Sequence, residues 1–162
     1  MVSKRILVAE DDPSIQLLEK RILESAGYQV DCVESGDMAL EMVKSNKYVL
    51  VVADVMMPGM DGFQLTREIS RLYHRSLPVL LVTAVHDALE AAHAQNAKPF
   101  STLQKPFTAA ALLTAVRLLE AQVNKAETKA HAEKKSSPEE TRKKSWFDKL
   151  FHPADQKKRE ID

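Results

Sequence analysis

Short apolar runs alternate along the chain with longer segments in which apolar residues recur at helical spacing. Five runs have the length of strands: Arg5–Ala9, Gln29–Val33, Val49–Ala53, Val79–Thr83 and Thr102–Gln104. The first, third and fourth of these runs are apolar without polar alternation, which is typical of strands covered on both faces in a parallel sheet. The pattern therefore predicts five strands, most of them buried.

The segments between these runs have helical periodicity. In the first, apolar residues recur at three- and four-residue intervals from Ile15 through Leu18 and Ile22 to Ala26, and Gly27 follows as a C-cap. An alanine-rich fourth segment covers residues 87–95, and Thr108 is a candidate N-cap for the fifth helix. The other apolar markers are Met38, Met42 and Val43; Phe63, Leu65 and Ile69; and Leu112, Val116, Leu119 and Val123. Five successive β–α repeats predict a doubly wound α/β fold around a five-stranded parallel sheet.

Charge and cysteine content exclude some classes of protein. The 162 residues carry 23 basic and 23 acidic side chains, so no overall field attracts nucleic acid or an anionic membrane. Acidic residues outnumber basic ones in residues 1–122, and the reverse holds in residues 123–162. One cysteine precludes an internal disulfide, and the first apolar run is too short for a signal peptide or a membrane span. We expect a cytoplasmic protein without stable membrane insertion.

Polar residues follow the predicted strands at the points where those strands end. They are Glu10, Asp11, Asp12, Asp54, Thr83 and Lys105. In a doubly wound sheet the binding site forms at the carboxyl ends of the strands, where the strand order reverses. Clustered carboxylates repel one another, so their convergence favours a hard cation such as Mg2+ over a set of solvated loop acids.

Four short motifs at these positions resemble the signatures of response-regulator receiver domains. They are Ile6–Pro13, Asp54–Gly62, Thr83-Ala84 and Lys105–Phe107, and their order and separations also fit that family. The resemblance covers residues 3–122 and implies a flavodoxin-like arrangement of the five β–α repeats.

The resemblance also implies roles for individual residues. Asp54 accepts a phosphoryl group from a histidine kinase or a phosphotransfer protein, with help from Lys105 and Thr83. Mg2+ is bound by Glu10, Asp11, Asp54 and the backbone carbonyl of Met56. Such a chain is not an enzyme in the ordinary sense, because it is a phosphoacceptor that assists its own phosphorylation and dephosphorylation.

Three positions bear on how such a receiver works. Thr102 stands where receivers usually carry Phe or Tyr, so the usual coupling between a threonine and an inward-turning ring is altered. Met56 and Val85 flank the path of an attacking water and are both apolar, which predicts slow self-dephosphorylation. Thr102 supports an alternative function, a phosphorylation-independent adaptor or scaffold with the same fold.

Other functional classes fit the residues less well. An aspartate-nucleophile phosphohydrolase needs a second acid two residues after the nucleophile, where this chain has Met56. A flavodoxin-like cofactor binder needs a phosphate loop after the first strand, where Glu10 and Asp11 would repel the ligand. A DNA-binding output domain does not fit convincingly in the forty or so residues after position 122.

The remaining sequence predicts a linker and an interaction tail. We expect a receiver domain over residues 1–122, a charged linker or helix extension over 123–136, and a tail with a short amphipathic helix over 137–162. The tail helix places Trp146, Phe147, Leu150 and Phe151 on one side. Because a lone short helix is marginal in water, we expect an output partner, a membrane surface or the receiver itself to cover these residues, and we favour the partner or the receiver.

Overall fold

Five strands and five helices alternate along the chain in the computed structural model, which describes residues 4–74, 76–94, 97 and 101–135. The strands are β1 Arg5–Ala9, β2 Gln29–Val33, β3 Leu50–Ala53, β4 Val79–Thr83 and β5 Ser101–Gln104. The helices are α1 Pro13–Ser25, α2 Gly36–Ser45, α3 Gly62–Tyr73, α4 Ala88–Ala94 and α5 Ala109–Lys135. The predicted elements are thus confirmed, except that β3 and α4 begin one residue later than expected and β5 one residue earlier.

All strand pairs are parallel, and the sheet has the order β2-β1-β3-β4-β5. The chain therefore winds outward from β1 in both directions, and the order reverses between β1 and β3. Ala9 lies opposite Ala53 in this central pair, so the residues that follow these strands leave the sheet side by side. The predicted doubly wound fold is confirmed, and its reversal point lies where Glu10 and Asp54 emerge.

Each face of the sheet supports its own apolar core. Leu7 and Ala9 of β1 face a core that includes residues of α2 and α3, whereas Ile6 and Val8 face one that includes residues of α1 and α5. Successive strand residues point to opposite faces, so continuous apolar strands are required to fill both cores. Every residue of β3 and β4 is buried accordingly.

The buried residues of α1 include an acid. Leu18, one of the apolar positions of the helical pattern, has 50% of its surface exposed, whereas Glu19 and Leu23 are buried. The periodicity correctly predicts a helix, but it gives no sign of the carboxylic acid that lies four residues before Leu23. Met38 in α2 is likewise about half exposed, and Gly36, Ala39 and Val43 are the buried residues of that helix.

Single side chains cap the N-termini of two helices. Asp12 is the N-cap of α1, and its carboxylate accepts hydrogen bonds from the backbone amides of Ser14 and Ile15. The Thr108 hydroxyl accepts one from the amide of Ala111 at 3.1 Å, which confirms the predicted start of α5. Gly27, just beyond α1, has a φ of 92°, as expected of a residue that ends a helix in the left-handed region.

The last helix, α5, ends at Lys135. Contacts group residues up to Asn124 into one compact unit, and the described residues 125–135 belong to a second. The tail helix predicted around Trp146 lies outside the described residues, and the predicted domain boundaries stay predictions. Among the helices of the described ranges, none is long and apolar enough to cross a membrane.

Glu19 is a buried acid in the middle of α1. Only 1% of its surface is exposed, and its Oε1 has no hydrogen-bond partner among the described residues. Burial, together with the nearby charges of Glu10 and Asp54, raises the pKa of Glu19 to about 8, although Lys105 acts in the opposite direction. At neutral pH this side chain is therefore mostly a neutral carboxylic acid.

We predict that this acid makes the fold less stable as the pH rises. Between the ordinary pKa near 4.5 and the folded value near 8, the unfolded chain releases the Glu19 proton while the folded chain retains it. The resulting loss is on the order of a few kcal/mol across this window and levels off above it. Urea denaturation at pH 5 and pH 8.5 should show a loss in the wild type that is much smaller in Glu19→Gln.

Glu24→Gln is the matched control, because Glu24 lies in the same helix and is exposed. This variant should keep the wild-type dependence of unfolding free energy on pH. Equal pH dependence in Glu19→Gln and the wild type would contradict the prediction.

Candidate functional site

Lys105 links the ends of three strands at the carboxyl edge of the sheet. Its Nζ donates hydrogen bonds to Glu10 Oε2 at 2.6 Å and to Asp54 Oδ2 at 2.9 Å. Glu10 directly follows β1, Asp54 follows β3, and Lys105 follows β5. The sheet topology therefore brings together three residues that are up to 95 positions apart in sequence.

The backbone holds these residues in place by extending the pattern of the sheet. The amide of Asp54 donates to the carbonyl of Ala9 at 2.9 Å, and the amide of Glu10 donates to the carbonyl of Val33 at 3.0 Å. The amide of Lys105 donates to the carbonyl of Thr83, also at 3.0 Å. Each functional side chain is thus carried by backbone that is anchored to a neighbouring strand.

Three carboxylates form a candidate metal site beside Lys105. Glu10, Asp11 and Asp54 each offer an oxygen, and these oxygens lie within 4.8 Å of one another. Glu10 and Asp54 are buried, whereas Asp11 is exposed to solvent. Carboxylate oxygens are the donors that hard divalent cations prefer, so this set suits such an ion. Asp12, the third acid of the sequence motif, instead caps α1.

Burial and hydrogen bonds together shift the pKa values of Glu10 and Lys105. Burial raises the pKa of Glu10 and outweighs the opposing effect of its hydrogen bonds from Lys105 and from the amide of Asp12. Burial alone would lower the pKa of Lys105, but the hydrogen bonds to Glu10 and Asp54 leave it above its ordinary value. Lys105 is consequently a firmly charged cation between two acids.

The phosphoacceptor candidate Asp54 has hydrogen bonds on both of its oxygens. Lys105 binds Oδ2, and the backbone amide of Met56 donates to Oδ1 at 3.3 Å. Met56 itself has 69% of its surface exposed. The part of the Met56 carbonyl in metal binding stays a prediction.

Thr83 ends β4 with its side chain buried. Its hydroxyl accepts a hydrogen bond from the amide of Val85 at 3.2 Å. Thr83 and Thr102 both line an open pocket of about 240 Å³ between β5 and the segment that leads into α4. The small side chain at position 102 thus borders open space on the side of the sheet edge where Thr83 lies.

The loop after Asp54 is fitted closely against its surroundings. A Cβ atom on Gly62 would come within 2.3 Å of the Asp54 carbonyl, and one on Gly36 within 2.2 Å of the Met60 carbonyl. The Asp37 carboxylate accepts a hydrogen bond from the Met60 amide at 2.9 Å. Sequence analysis did not single out Gly36, Asp37 or Glu19, because each of them resembles an ordinary residue of a helix or a turn.

Comparisons with known proteins agree with this arrangement. Residues 6–117 match the family described as the response regulator receiver domain. The chain is 41% identical over 109 residues to the sensor protein EvgS of Escherichia coli O157:H7, and 36% identical over 118 residues to the response regulator MprA of Mycobacterium ulcerans. These alignments cover 67% and 73% of this chain, but only 9% of EvgS and 50% of MprA.

Solved structures show the same fold. The response regulator TrrA of Thermotoga maritima, in complex with Mg(2+)-BeF, has a TM-score of 0.64 and 31% identity, and the match covers 72% of this chain and 98% of that one. A response regulator receiver protein of Sinorhizobium medicae has a TM-score of 0.67 and 35% identity, with coverage of 75% and 98%.

The family match covers more than half of the chain, and it contains all four motifs and the carboxylate–lysine cluster that they form. Receiver domains of this family belong to the sensor proteins and response regulators of two-component signalling. The chain belongs to the response-regulator receiver domain family.

Proposed function

We propose that this receiver accepts a phosphoryl group on Asp54 from a histidine kinase or a phosphotransfer protein and signals through protein–protein contacts. The observation that carries the proposal is the geometry of Lys105, whose ammonium group lies within hydrogen-bond distance of both Glu10 and Asp54. An ammonium beside a carboxylate at the edge of a metal-competent acidic cluster is what phosphoryl transfer to that carboxylate needs.

Three side chains have different roles in this transfer. An Asp54 oxygen attacks phosphorus and forms a new P–O bond while the bond from phosphorus to the donor breaks, which yields an acyl phosphate. Lys105 then pairs with the phosphoryl oxygens instead of the free carboxylate. Thr83 supplies a hydroxyl that turns from the Val85 amide towards the phosphoryl group.

The acidic cluster is proposed to bind Mg2+. Glu10, Asp11 and Asp54 would hold the ion together with the Met56 carbonyl. Bound Mg2+ supplies positive charge that neutralises the transferred oxygens. The Mg(2+)-BeF complex of the TrrA receiver, 31% identical to this chain, supports this choice of cation.

The phosphoacceptor is testable with a small phosphodonor. Incubation with acetyl phosphate and Mg2+ should add the mass of one phosphoryl group to the intact protein. Asp54→Asn should prevent the addition, because an amide is not a competent nucleophile. Asp87→Asn, which neutralises an exposed acid after β4, should be labelled like the wild type.

The same experiment separates the proposal from its alternative. Labelling that persists in Asp54→Asn would refute Asp54 as the acceptor. A wild-type chain that stays unlabelled while an ordinary receiver is labelled would favour the phosphorylation-independent adaptor. Thr102 and the open pocket beside it are the observations on which that second function rests.

We also predict that the phosphorylated form is long-lived. Met56 and Val85 flank the proposed path of the hydrolytic water, and neither side chain donates or accepts hydrogen bonds effectively enough to orient it. The isolated phosphoprotein should last for minutes rather than seconds, as followed by intact mass after removal of the donor. Met56→Gln should shorten this lifetime, whereas Met38→Gln, at an exposed methionine of α2, should not. A wild-type lifetime of seconds would contradict the prediction.

The predicted tail provides its own probe, because Trp146 is the single tryptophan of the chain. If the receiver covers the tail aromatics, Trp146 fluorescence in the full-length protein should be protected from acrylamide relative to a peptide of residues 136–162. Lys157→Ala is the control and should leave the quenching unchanged.

Equal quenching in the protein and the peptide would contradict docking on the receiver and favour an external partner. Deletion of residues 136–162 that changes neither partner binding nor localisation would contradict both forms of docking.

A further inference from the structure

We propose that Asp37 is a positioning residue that holds the loop between β3 and α3 in the conformation needed for Mg2+ binding. The proposal rests on the proposed function, in which the Met56 carbonyl in this loop is a metal ligand. Asp37 lies in the first turn of α2, and its Oδ2 accepts a hydrogen bond from the backbone amide of Met60 at 2.9 Å. This bond joins two parts of the chain that are 23 residues apart in sequence.

The ends of the loop have anchors of their own. Beside Asp54, the Met56 amide is bound to Oδ1 of that acid. At the far end, the Gly62 amide donates to the Val55 carbonyl at 3.0 Å, and the Asp61 carboxylate caps α3 by accepting from the Gln64 amide at 2.7 Å. Asp37 adds a hydrogen bond from α2 to Met60, which lies between these two ends of the loop.

Close packing shows that the loop and α2 are fitted to each other. Gly36 lies so near the Met60 carbonyl that a Cβ atom would come within 2.2 Å of it. A Cβ atom on Gly59 would come within 2.5 Å of Asp37 Oδ2, and Gly59 has a φ of 71°, which favours glycine. Two glycines thus bring the loop close enough to α2 for the Asp37 carboxylate to reach the Met60 amide.

A simpler role for Asp37 would be to complement the dipole of α2, since acids are favourable in the first turn of a helix. The two roles make different demands on the side chain. The dipole requires the negative charge, whereas the hydrogen bond requires an acceptor oxygen, which an asparagine also has. Asp37→Asn therefore separates them.

The test measures Mg2+ binding directly, by isothermal titration calorimetry of the full-length chain. Asp37→Ala should weaken Mg2+ binding roughly three- to tenfold, the equivalent of one lost hydrogen bond. Asp37→Asn should stay close to the wild type. Glu34→Ala is the matched control, because it removes an exposed acid just before the N-cap of the same helix, and it should have a much smaller effect.

Hydrogen exchange of the metal-free protein provides a second readout at the hydrogen bond itself. The Met60 amide should exchange faster in Asp37→Ala and at the wild-type rate in Asp37→Asn and Glu34→Ala. In phosphorylation assays, Asp37→Ala should need more Mg2+ for half-maximal rate yet reach the wild-type rate at saturating Mg2+. A higher Mg2+ requirement with an unchanged maximal rate identifies Asp37 as a residue that positions the metal site. It excludes a direct part for Asp37 in phosphoryl transfer.

Several results would overturn the proposal. Unchanged Mg2+ affinity in Asp37→Ala would do so, as would unchanged Met60 exchange, or a defect in Asp37→Asn equal to that of the alanine variant. A wild-type chain that binds Mg2+ but accepts no phosphoryl group would refute the proposed function alone, because the role of Asp37 is judged on metal affinity and amide exchange.

Discussion

The contact of Lys105 with Glu10 and Asp54 is the interaction on which the arrangement of the site depends. Two carboxylates buried side by side at the ends of β1 and β3 repel each other and lose hydration. The Lys105 ammonium, delivered by the end of β5, offsets that cost through short hydrogen bonds to both. Loss of one partner from a buried ionic cluster typically costs about 3–5 kcal/mol, so the cluster constrains three strand ends as well as the chemistry.

The same cluster leaves an imbalance of charge. Glu10, Asp11 and Asp54 face one lysine, so the site favours a divalent cation. A phosphoryl group on Asp54 would in turn add negative charge within reach of Lys105. Under the proposed function, Lys105 and a bound cation would neutralise that added charge.

Two features of this receiver lie outside the carboxylate–lysine cluster. Glu19 places a neutral acid in the helix that packs behind the site, where its proton is sensitive to the charges of Glu10, Asp54 and Lys105. Thr102 lines an open pocket together with Thr83. The carboxylate–lysine contacts are present alongside both features.

The sequence by itself determined the β–α repeats, the parallel sheet and the identity of the polar residues at the strand ends. It did so because continuous apolar strands, helical periodicity and a polar residue after each strand are local patterns. The contacts between elements were decided only by the tertiary structure. That Lys105 bridges Glu10 and Asp54, that Asp37 reaches Met60 and that Glu19 faces the core all depend on packing between elements far apart in sequence. Helical periodicity gave no sign that Glu19 is buried, because apolar patterns carry no information about a buried acid whose proton is retained by its surroundings.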